Sequence, residues 1–187
     1  MNSPTADVSV RVAWADDAYA IARCQVDAWR EAYADILPAD VIEALDVDEF
    51  AHKWTASMDK PGDARKRVLV ALERATVRGF AVTSPSNDPD ADPIADGEIV
   101  EFIVNADARH EGHGSRLLQA CTDTLRADKF TRATWWIMST NDDLRSFVEG
   151  TGWAPDGAHR ELDLVGSGET TAKQVRLHTS LVADEDA

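Results

Sequence analysis

The stretch "EIVEFIVNADARHEGHGSRLL", residues 98–118, joins an apolar segment to a glycine-containing loop and then to the start of a helical pattern. Residues 98–105 are mostly apolar, which is typical of a strand buried on both faces. After Ser115, apolar residues recur at helical spacing at Leu117, Leu118, Cys121 and Leu125. The stretch therefore predicts a strand, a tight loop and a helix in direct succession.

The side chains of the loop first suggest a metal site or an acid–base site. "HEGH" lacks the HExxH spacing, and Gly112 and Gly114 oppose a stable helix that could carry both imidazoles, so no metal site is predicted. His110 and His113 are of a residue type whose ordinary pKa, ~6.5, suits proton transfer. The sequence supplies neither with an orienting partner, so we expect both to be exposed loop histidines.

The backbone of the same loop offers a different kind of site. Gly112 and Gly114 allow a tight turn that brings N–H groups close to a ligand. The first N–H groups of a helix have no intrahelical partner, and the helix dipole adds positive potential there. A pyrophosphate site is therefore one interpretation, and an ordinary tight turn is the other. The loop has no GK[ST] and no third glycine, so it is neither a P-loop nor a GxGxxG motif.

Patterns on either side of this stretch predict the remaining elements. Strands are expected at 8–14, 67–73, 77–84 and 133–140 and as a closing pair in "RELDLVG" and "QVRLHTSLV"; helices are expected at 16–34, after Pro38 and from the capping residue Asn141. The strand–helix–strand order across 98–140 is long enough to connect two parallel strands, whereas the flanking hairpins are antiparallel. An α/β mixed sheet with helices on both faces follows.

The whole chain has the length and composition of one soluble domain. We expect a single domain over residues 1–187, with flexible ends at 1–7 and 183–187 and a mobile acidic loop at 85–97. The net charge of −15 argues against a nucleic-acid partner and only weakly favours a cationic substrate. The chain shows no leader-like start and no membrane-length apolar run, and its two cysteines are far apart. These features predict a cytoplasmic protein with free thiols and no membrane partner.

Two motifs resemble those of the GNAT superfamily of N-acetyltransferases. "RHEGHG" (109–114) has the form R-x-x-G-x-G, the acyl-CoA signature of that family. One helix and one strand later, residues 141–153 read N-x-x-L-x-x-F-V-x-x-x-G-W, which is similar to the family's second motif. "AWREAYADILP" (28–38) also looks like bacterial members. The resemblance spans roughly residues 8–182, and the two motifs stand at the expected separation and in the expected strand–helix order.

The resemblance implies a fold and a cosubstrate. The fold would be a mixed, mostly antiparallel sheet of about six to seven strands with a central splayed parallel pair. Acetyl-CoA would be the cosubstrate, without a metal. The residues that would bind it are the strand backbone at Phe102, Ile103 and Val104, the loop Arg109, His110, Glu111, Gly112, His113, Gly114 and Ser115 through backbone N–H groups, and Asn141 near the thioester.

The resemblance also implies direct attack of a primary amine on the thioester in a ternary complex. Glu98 stands where one branch of the family carries its base, and Glu101 is the alternative; a carboxylate in an apolar strand should have a raised pKa. Trp29 and Tyr33 lie on the helix that borders the acceptor pocket in this family, although their spacing also fits plain core. The acceptor would be a small-molecule or peptide amine, and the protein a monomer or homodimer.

One departure from the family pattern leaves alternatives open. Many members place a tyrosine, the general acid for the CoA thiolate, where this chain has Val148. The thiolate could leave unassisted, or water or another residue could protonate it, or the domain could be a non-catalytic acyl-CoA-binding module. A different phosphate-ligand protein, such as a nucleotide binder, is a third hypothesis.

Overall fold

The computed structural model describes residues 8–182, so the predictions for 1–7 and 183–187 lie outside the described residues. The chain forms two compact units. The first comprises Met1–Thr83 and Glu101–Asp123, and the second comprises Ser84–Val100 and Thr124–Ala187. Among residues 8–182, no helix is long and apolar enough to cross a membrane.

Seven strands and five α-helices make up the described chain. The strands are β1 (Val8–Val12), β2 (Arg67–Glu73), β3 (Thr76–Pro85), β4 (Asp96–Val104), β5 (Arg132–Met138), β6 (Ala154–Asp163) and β7 (Thr171–Ser180). The helices are α1 (Ala18–Tyr33), α2 (Ala39–Glu43), α3 (Val47–Asp59), α4 (His113–Ala127) and α5 (Asp142–Glu149), with short 3-10 turns at Ala15–Asp17 and Ala106–Ala108. The strand order is β1-β2-β3-β4-β5-β7-β6.

The parallel pair that the sequence predicts is β4 and β5, joined by α4. Their register pairs Asp96–Ile99 with Arg132–Trp135 and ends there, although β4 continues to Val104 and β5 to Met138. The other recorded pairs are antiparallel. The predicted mixed, mostly antiparallel sheet is confirmed, and it has seven strands.

The helical segment after Pro38 differs from the prediction. One helix was expected, but α2 ends at Glu43 and α3 begins at Val47. Asp46 separates them: its backbone is extended, and its side chain accepts a hydrogen bond of 2.8 Å from the Glu49 N–H. A capping aspartate marks the start of a new helix, so the apolar residues on either side of Asp46 belong to two helices. The prediction of a single helix is therefore wrong.

The prediction that β4 is buried on both faces is also wrong. Val100 is 52% exposed, and Glu101 and Phe102 are only partly buried. The strand begins at Asp96, two residues earlier than expected, whereas α4 begins at His113, within the region Gly112–Ser115 where its start was expected. Helix and strand ends are the least reliable feature of a sequence pattern because hydrogen bonds, not apolar spacing, define them.

The core of the first unit lies between α1 and the strands β2, β3 and β4. Its buried members are Ile21, Cys24, Val68, Val70, Leu72, Phe80, Val82 and Ile103. Leu69 and Ala71 are buried as well, so both faces of β2 are covered. Both cysteines are free and buried, as predicted. Burial raises the pKa of the Cys24 thiol to about 11 and that of Cys121 to about 12, which keeps both protonated and unreactive.

The acidic loop of the second unit is held by a buried arginine. Arg176 on β7 contacts Asp88 (Nη1–Oδ2, 3.0 Å), Asp90 (Nη2–Oδ2, 2.7 Å) and Asp156 (Nε–Oδ2, 2.7 Å). The Trp136 indole N–H also donates to Asp88 at 2.8 Å. These contacts oppose free motion of the loop, whose mobility stays a prediction. Trp135 is buried and Trp136 partly exposed, as expected for neighbours on a strand.

Candidate active site

The two candidate bases, Glu98 and Glu101, have different surroundings. They stand three positions apart on β4, and residues of opposite parity on a strand point to opposite faces. Glu101 belongs to the first unit and shares its face with the core residue Ile103. Glu98 belongs to the second unit. A single pocket therefore cannot contain both carboxylates, and the surroundings of each determine which is the better candidate base.

Glu101 is a half-buried carboxyl whose pKa is raised to about 7. Desolvation causes the shift, and a hydrogen bond from the Gln25 side chain on α1 partly opposes it. A carboxyl with a pKa near neutrality is ionised often enough to accept a proton, and basic enough to hold one. Glu101 therefore has the properties of a general base that works at neutral pH.

The amide that contacts Glu101 is oriented by a tryptophan. The Trp54 indole N–H on α3 donates to Gln25 Oε1 at 2.8 Å. Because an indole N–H can only donate, the amide oxygen of Gln25 must face Trp54 and the NH₂ group must face Glu101. Gln25 is only 8% exposed, and the Trp54 ring packs edge-on against Phe80 at 5.3 Å. Neither residue stood out in the sequence, although a glutamine at helical spacing from Ile21 and Trp29, on the apolar face of α1, was a usable signal.

An aromatic cluster lies on the same two helices. Trp29 meets Tyr33 edge-to-face at 6.1 Å between ring centroids, and it meets Phe50 of α3 at 5.3 Å. All three are half-buried. Burial and the negative charge of Glu101 raise the pKa of the Tyr33 phenol, so it stays neutral. The two aromatic residues that the sequence singled out, Trp29 and Tyr33, are thus packed together. Tyr33 lies close enough to Glu101 for the negative charge of the carboxylate to raise the pKa of the phenol.

Glu98 is surrounded by the acidic loop. Its pKa is raised by burial and by the charge of Asp88, while contacts with the Asn87 backbone, Arg160 and Ser86 act in the opposite direction. Within the second unit this carboxylate therefore takes part in holding the loop. Trp136 contacts two of the same groups, because its indole N–H donates to Asp88 and the Arg160 guanidinium lies over its ring.

The glycine loop has the backbone geometry of an anion site. Gly112 has a φ of +87° and His110 a φ of +63°, both left-handed. The Arg116 N–H donates to the Gly112 carbonyl at 3.2 Å, the first bond of α4. The N–H groups of His113, Gly114 and Ser115 therefore have no hydrogen-bond partner within the helix, and they lie at the positive end of its dipole. The predicted strand, loop and helix start are all present, and they fit an anionic diphosphate.

His113 differs from the prediction of an exposed loop histidine. It is only 1% exposed, and within residues 8–182 neither of its ring nitrogens has a hydrogen-bond partner. His113 is the first residue of α4 and shares the buried helix face with Leu117, one turn later. His110 is exposed, as expected. The prediction failed because His113 lies one turn before Leu117 on the inward face of α4, where packing buries the imidazole.

Arg109 is directed toward α1. Its Nη1 and Nη2 contact Glu31 Oε1 and Oε2 at 2.8 and 2.6 Å, and its Nε donates to the Val104 carbonyl at 3.3 Å. This ion pair lowers the pKa of Glu31. The guanidinium is therefore engaged by a carboxylate of α1.

A groove of about 660 Å³ lies beside this ion pair, between the start of α1, the β2–β3 turn and residues 104–109. Glu101 does not line it. Its lining carries both signs of charge, with three arginines (Arg23, Arg78 and Arg109) and five carboxylates that include Asp27 and Glu31. The carboxyl with the raised pKa therefore lies outside this groove.

The second motif forms α5 in the second unit. Asn141 caps this helix: its Oδ1 accepts a hydrogen bond from the Leu144 N–H at 3.2 Å. Its predicted contact with CoA stays a prediction. Val148 is fully buried, so its position offers neither a proton donor nor access to solvent. The described residues contain no group of three or more His, Cys, Asp or Glu side chains that could hold a metal ion.

The fold, the glycine loop and the second motif together define the class of N-acyltransferases. Residues 26–153 match the Acetyltransferase (GNAT) family, which is more than half of the chain. The chain therefore belongs to the GNAT acetyltransferase family and is an N-acetyltransferase.

Named relatives agree with this assignment. The chain is 30% identical over 138 residues to the uncharacterized N-acetyltransferase YuaI of Bacillus subtilis (strain 168), covering 73% of this chain and 75% of that protein. Its fold is similar to that of yncA, a putative acetyltransferase from Salmonella typhimurium solved with acetyl-CoA, with a TM-score of 0.70, 19% identity and coverage of 96% and 97% of the two chains. The ribosomal-protein-alanine N-acetyltransferase from Brucella melitensis gives a TM-score of 0.69 at 21% identity, with coverage of 92% and 99%.

Proposed function

We propose that this protein transfers the acetyl group of acetyl-CoA to the primary amine of a small molecule or peptide, by direct attack in a ternary complex, with Glu101 as general base. The observation that supports this most strongly is the carboxyl of Glu101, with a pKa of about 7 and a buried amide that donates to it. Glu98 is set aside as base because its contacts are with the acidic loop.

Acetyl-CoA is the cosubstrate in this proposal, and it supplies the acetyl group. The residues that would hold its pyrophosphate are those of the loop Arg109–Ser115, through the N–H groups at the start of α4. The backbone of Phe102, Ile103 and Val104 would bind pantetheine, on the part of β4 beyond its register with β5. Family membership and the acetyl-CoA in the yncA structure support this choice of cosubstrate.

In this proposal the residues of the protein bind acetyl-CoA and the amine, orient the amine, and accept its proton. An amine at neutral pH carries a proton that must leave before nitrogen can attack a carbonyl carbon. Glu101 in its ionised form takes that proton, directly or through one water molecule. Positioning of the amine accounts for much of the remaining acceleration. After attack, the C–S bond breaks and the nitrogen loses its second proton to become an amide. Val148 offers no acid, so in this proposal that proton reaches the CoA thiolate through water.

The acceptor side of the site is the aromatic cluster of Trp29, Tyr33 and Phe50. Aromatic edges beside a carboxylate suit an amine that carries an apolar part. The acceptor would be attracted as a cation and lose its charge at Glu101. The net charge of −15 also favours a cationic substrate.

A thiol-release assay tests the proposal. Acetyl-CoA is offered with a panel of aryl- and alkylamines, polyamines, aminoglycosides and peptides, and free CoA thiol is measured. We expect release above the hydrolysis rate with amines that carry an apolar group. Glu101→Gln should lower kcat/KM by about 10²–10⁴-fold, the usual contribution of a general base. Glu98→Gln, the matched control on the same strand, should lower it less than about 10-fold.

The second candidate, a non-catalytic acyl-CoA-binding module, is favoured by the buried Val148. It predicts calorimetric binding of acetyl-CoA with no release of thiol across the whole panel. Turnover that disappears in Glu101→Gln contradicts it. Stabilisation by ATP or NAD, but not by CoA, would overturn both candidates in favour of a nucleotide binder.

A further inference from the structure

We propose that Gln25, held in one orientation by Trp54, is a positioning residue that aims the Glu101 carboxylate and favours its ionised form. The inference deepens the proposed function, because it rests on Glu101 as the base. Gln25 and Trp54 do not touch the reacting atoms in this account. They act through Glu101.

The first step of the argument is the fixed direction of the Gln25 amide. A free glutamine can present either its oxygen or its NH₂ group to a neighbour, and only the hydrogen-bond network decides which. The Trp54 indole N–H occupies the oxygen at 2.8 Å. The NH₂ group therefore points at Glu101, and a donor aimed at a carboxylate stabilises its charged form.

The second step is burial. Gln25 is 8% exposed, so its amide cannot exchange the Glu101 contact for bulk water without cost. The Trp54 ring is itself fixed between this hydrogen bond and an edge-on contact with Phe80 at 5.3 Å. Two elements thus hold the amide: α1 carries Gln25, and α3 carries Trp54.

The third step concerns the balance of effects on Glu101. Desolvation raises its pKa and the Gln25 hydrogen bond lowers it, which together leave it at about 7. Among residues 8–182, Tyr33 of α1 also interacts with Glu101, and it is a neutral phenol at this pH. Trp54, the contribution of α3, is uncharged. Without the amide, desolvation acts alone, and the carboxyl should stay protonated at neutral pH.

The test measures the pKa of Glu101 in two independent ways. One is the acid limb of the kcat/KM against pH profile with the best amine. The other is the titration of the Glu101 carboxyl carbon in ¹³C-glutamate-labelled protein, assigned by its loss in Glu101→Gln. The second readout needs no turnover, so it remains valid if the chain proves to be the non-catalytic module.

The variants are Gln25→Leu and Trp54→Phe. Gln25→Leu removes the donor at similar volume, and we expect both readouts to move up by about one pH unit, since a hydrogen bond to a charged group has about that effect. Activity at pH 7 should then fall about 5-fold and recover above about pH 9. Trp54→Phe keeps an aromatic ring at this position but removes the indole N–H and so frees the amide, and it should give a smaller shift in the same direction.

Trp136→Phe is the matched control, because it removes another partly buried indole N–H, the one bound to Asp88 in the second unit. It should leave the Glu101 titration in place. A purely structural role for Gln25 would lower activity at every pH without moving either midpoint, and that result overturns the inference. Unshifted carboxyl titration in folded Gln25→Leu overturns it as well, whatever the acetyltransferase assay shows.

Discussion

Arg109 and Glu31 form a two-point ion pair, with Nη1–Oε1 at 2.8 Å and Nη2–Oε2 at 2.6 Å, that joins the glycine loop to α1. The motif arginine therefore faces a carboxylate. If the loop binds pyrophosphate through its backbone, the guanidinium is dispensable for that contact. The loop backbone can thus bind an anion while the Arg109 guanidinium links the loop to α1, and the motif alone does not distinguish these two roles.

We expect Arg109→Gln to change CoA affinity by no more than about 3-fold, as measured by calorimetry. Glu31→Gln should lower the free energy of unfolding by less than about 1 kcal/mol, because the pair is 43% and 52% exposed. A guanidinium that binds phosphate would behave differently. Arg109→Gln would then weaken CoA more than about 10-fold, and Glu31→Gln would strengthen it.

Gly112→Val should abolish CoA binding, because the left-handed φ of +87° is strained for a β-branched residue and the loop must change shape. Gly62→Val is a matched control: its φ is +76°, and like Gly112 it has open space around its Cα. The two variants should lose similar stability in chemical denaturation. Retention of CoA binding by Gly112→Val would remove the basis for a backbone anion site.

His113→Leu should raise the free energy of unfolding by about 1 kcal/mol, because it removes two buried ring nitrogens that have no partner in the described part of the chain. CoA affinity should stay within about 3-fold. The exposed His52→Leu on α3 serves as control and should stay within about 0.5 kcal/mol of the parent. A loss of stability in His113→Leu would mean that the imidazole has a polar partner, such as a water molecule.

The stability difference between the parent and Glu101→Gln should depend on pH. The folded pKa of Glu101, about 7, lies above its ordinary value of 4.5, so the folded state binds the extra proton between these values. The parent therefore loses stability relative to the variant as pH rises from about 4.5 to 7, and the difference is constant above that. Urea denaturation of both proteins at several pH values measures it. A difference that grows in favour of the parent would show that the folded pKa is lowered.

Arg176→Gln should cost about 1–3 kcal/mol of stability, because Asp88 and Asp156 lose their buried cation. Each keeps a second arginine, Arg160 at 3.6 Å from Asp88 and Arg132 at 2.8 Å from Asp156, which limits the loss. Hydrogen exchange of residues 86–95 should accelerate in the variant. Lys53→Gln removes the exposed ion pair with Glu49 and should cost less than about 1 kcal/mol. Equal effects of the two changes would mean that the loop is held by something other than Arg176.

The sequence alone was sufficient for the features that depend on local patterning. Apolar periodicity, capping residues and connection length predict several of these features. They are the strand, glycine loop and helix of residues 98–118, the Asn141 cap, the hairpin of β2 and β3, and the parallel β4–β5 pair. These signals lie within a few residues of one another, so one chain suffices to read them. The same holds for the GNAT motifs, whose spacing is local.

Tertiary structure decided what depends on residues distant in sequence. Gln25, Trp54 and Glu101 meet because α1, α3 and β4 pack together, and no local pattern connects position 25 with position 101. The burial of His113, the pairing of Arg109 with Glu31 and the difference between Glu98 and Glu101 arise in the same way. The charge state of a carboxyl depends on the water that packing removes and the donors that packing supplies. That is why the sequence could name two candidate bases, while only the folded chain favours Glu101.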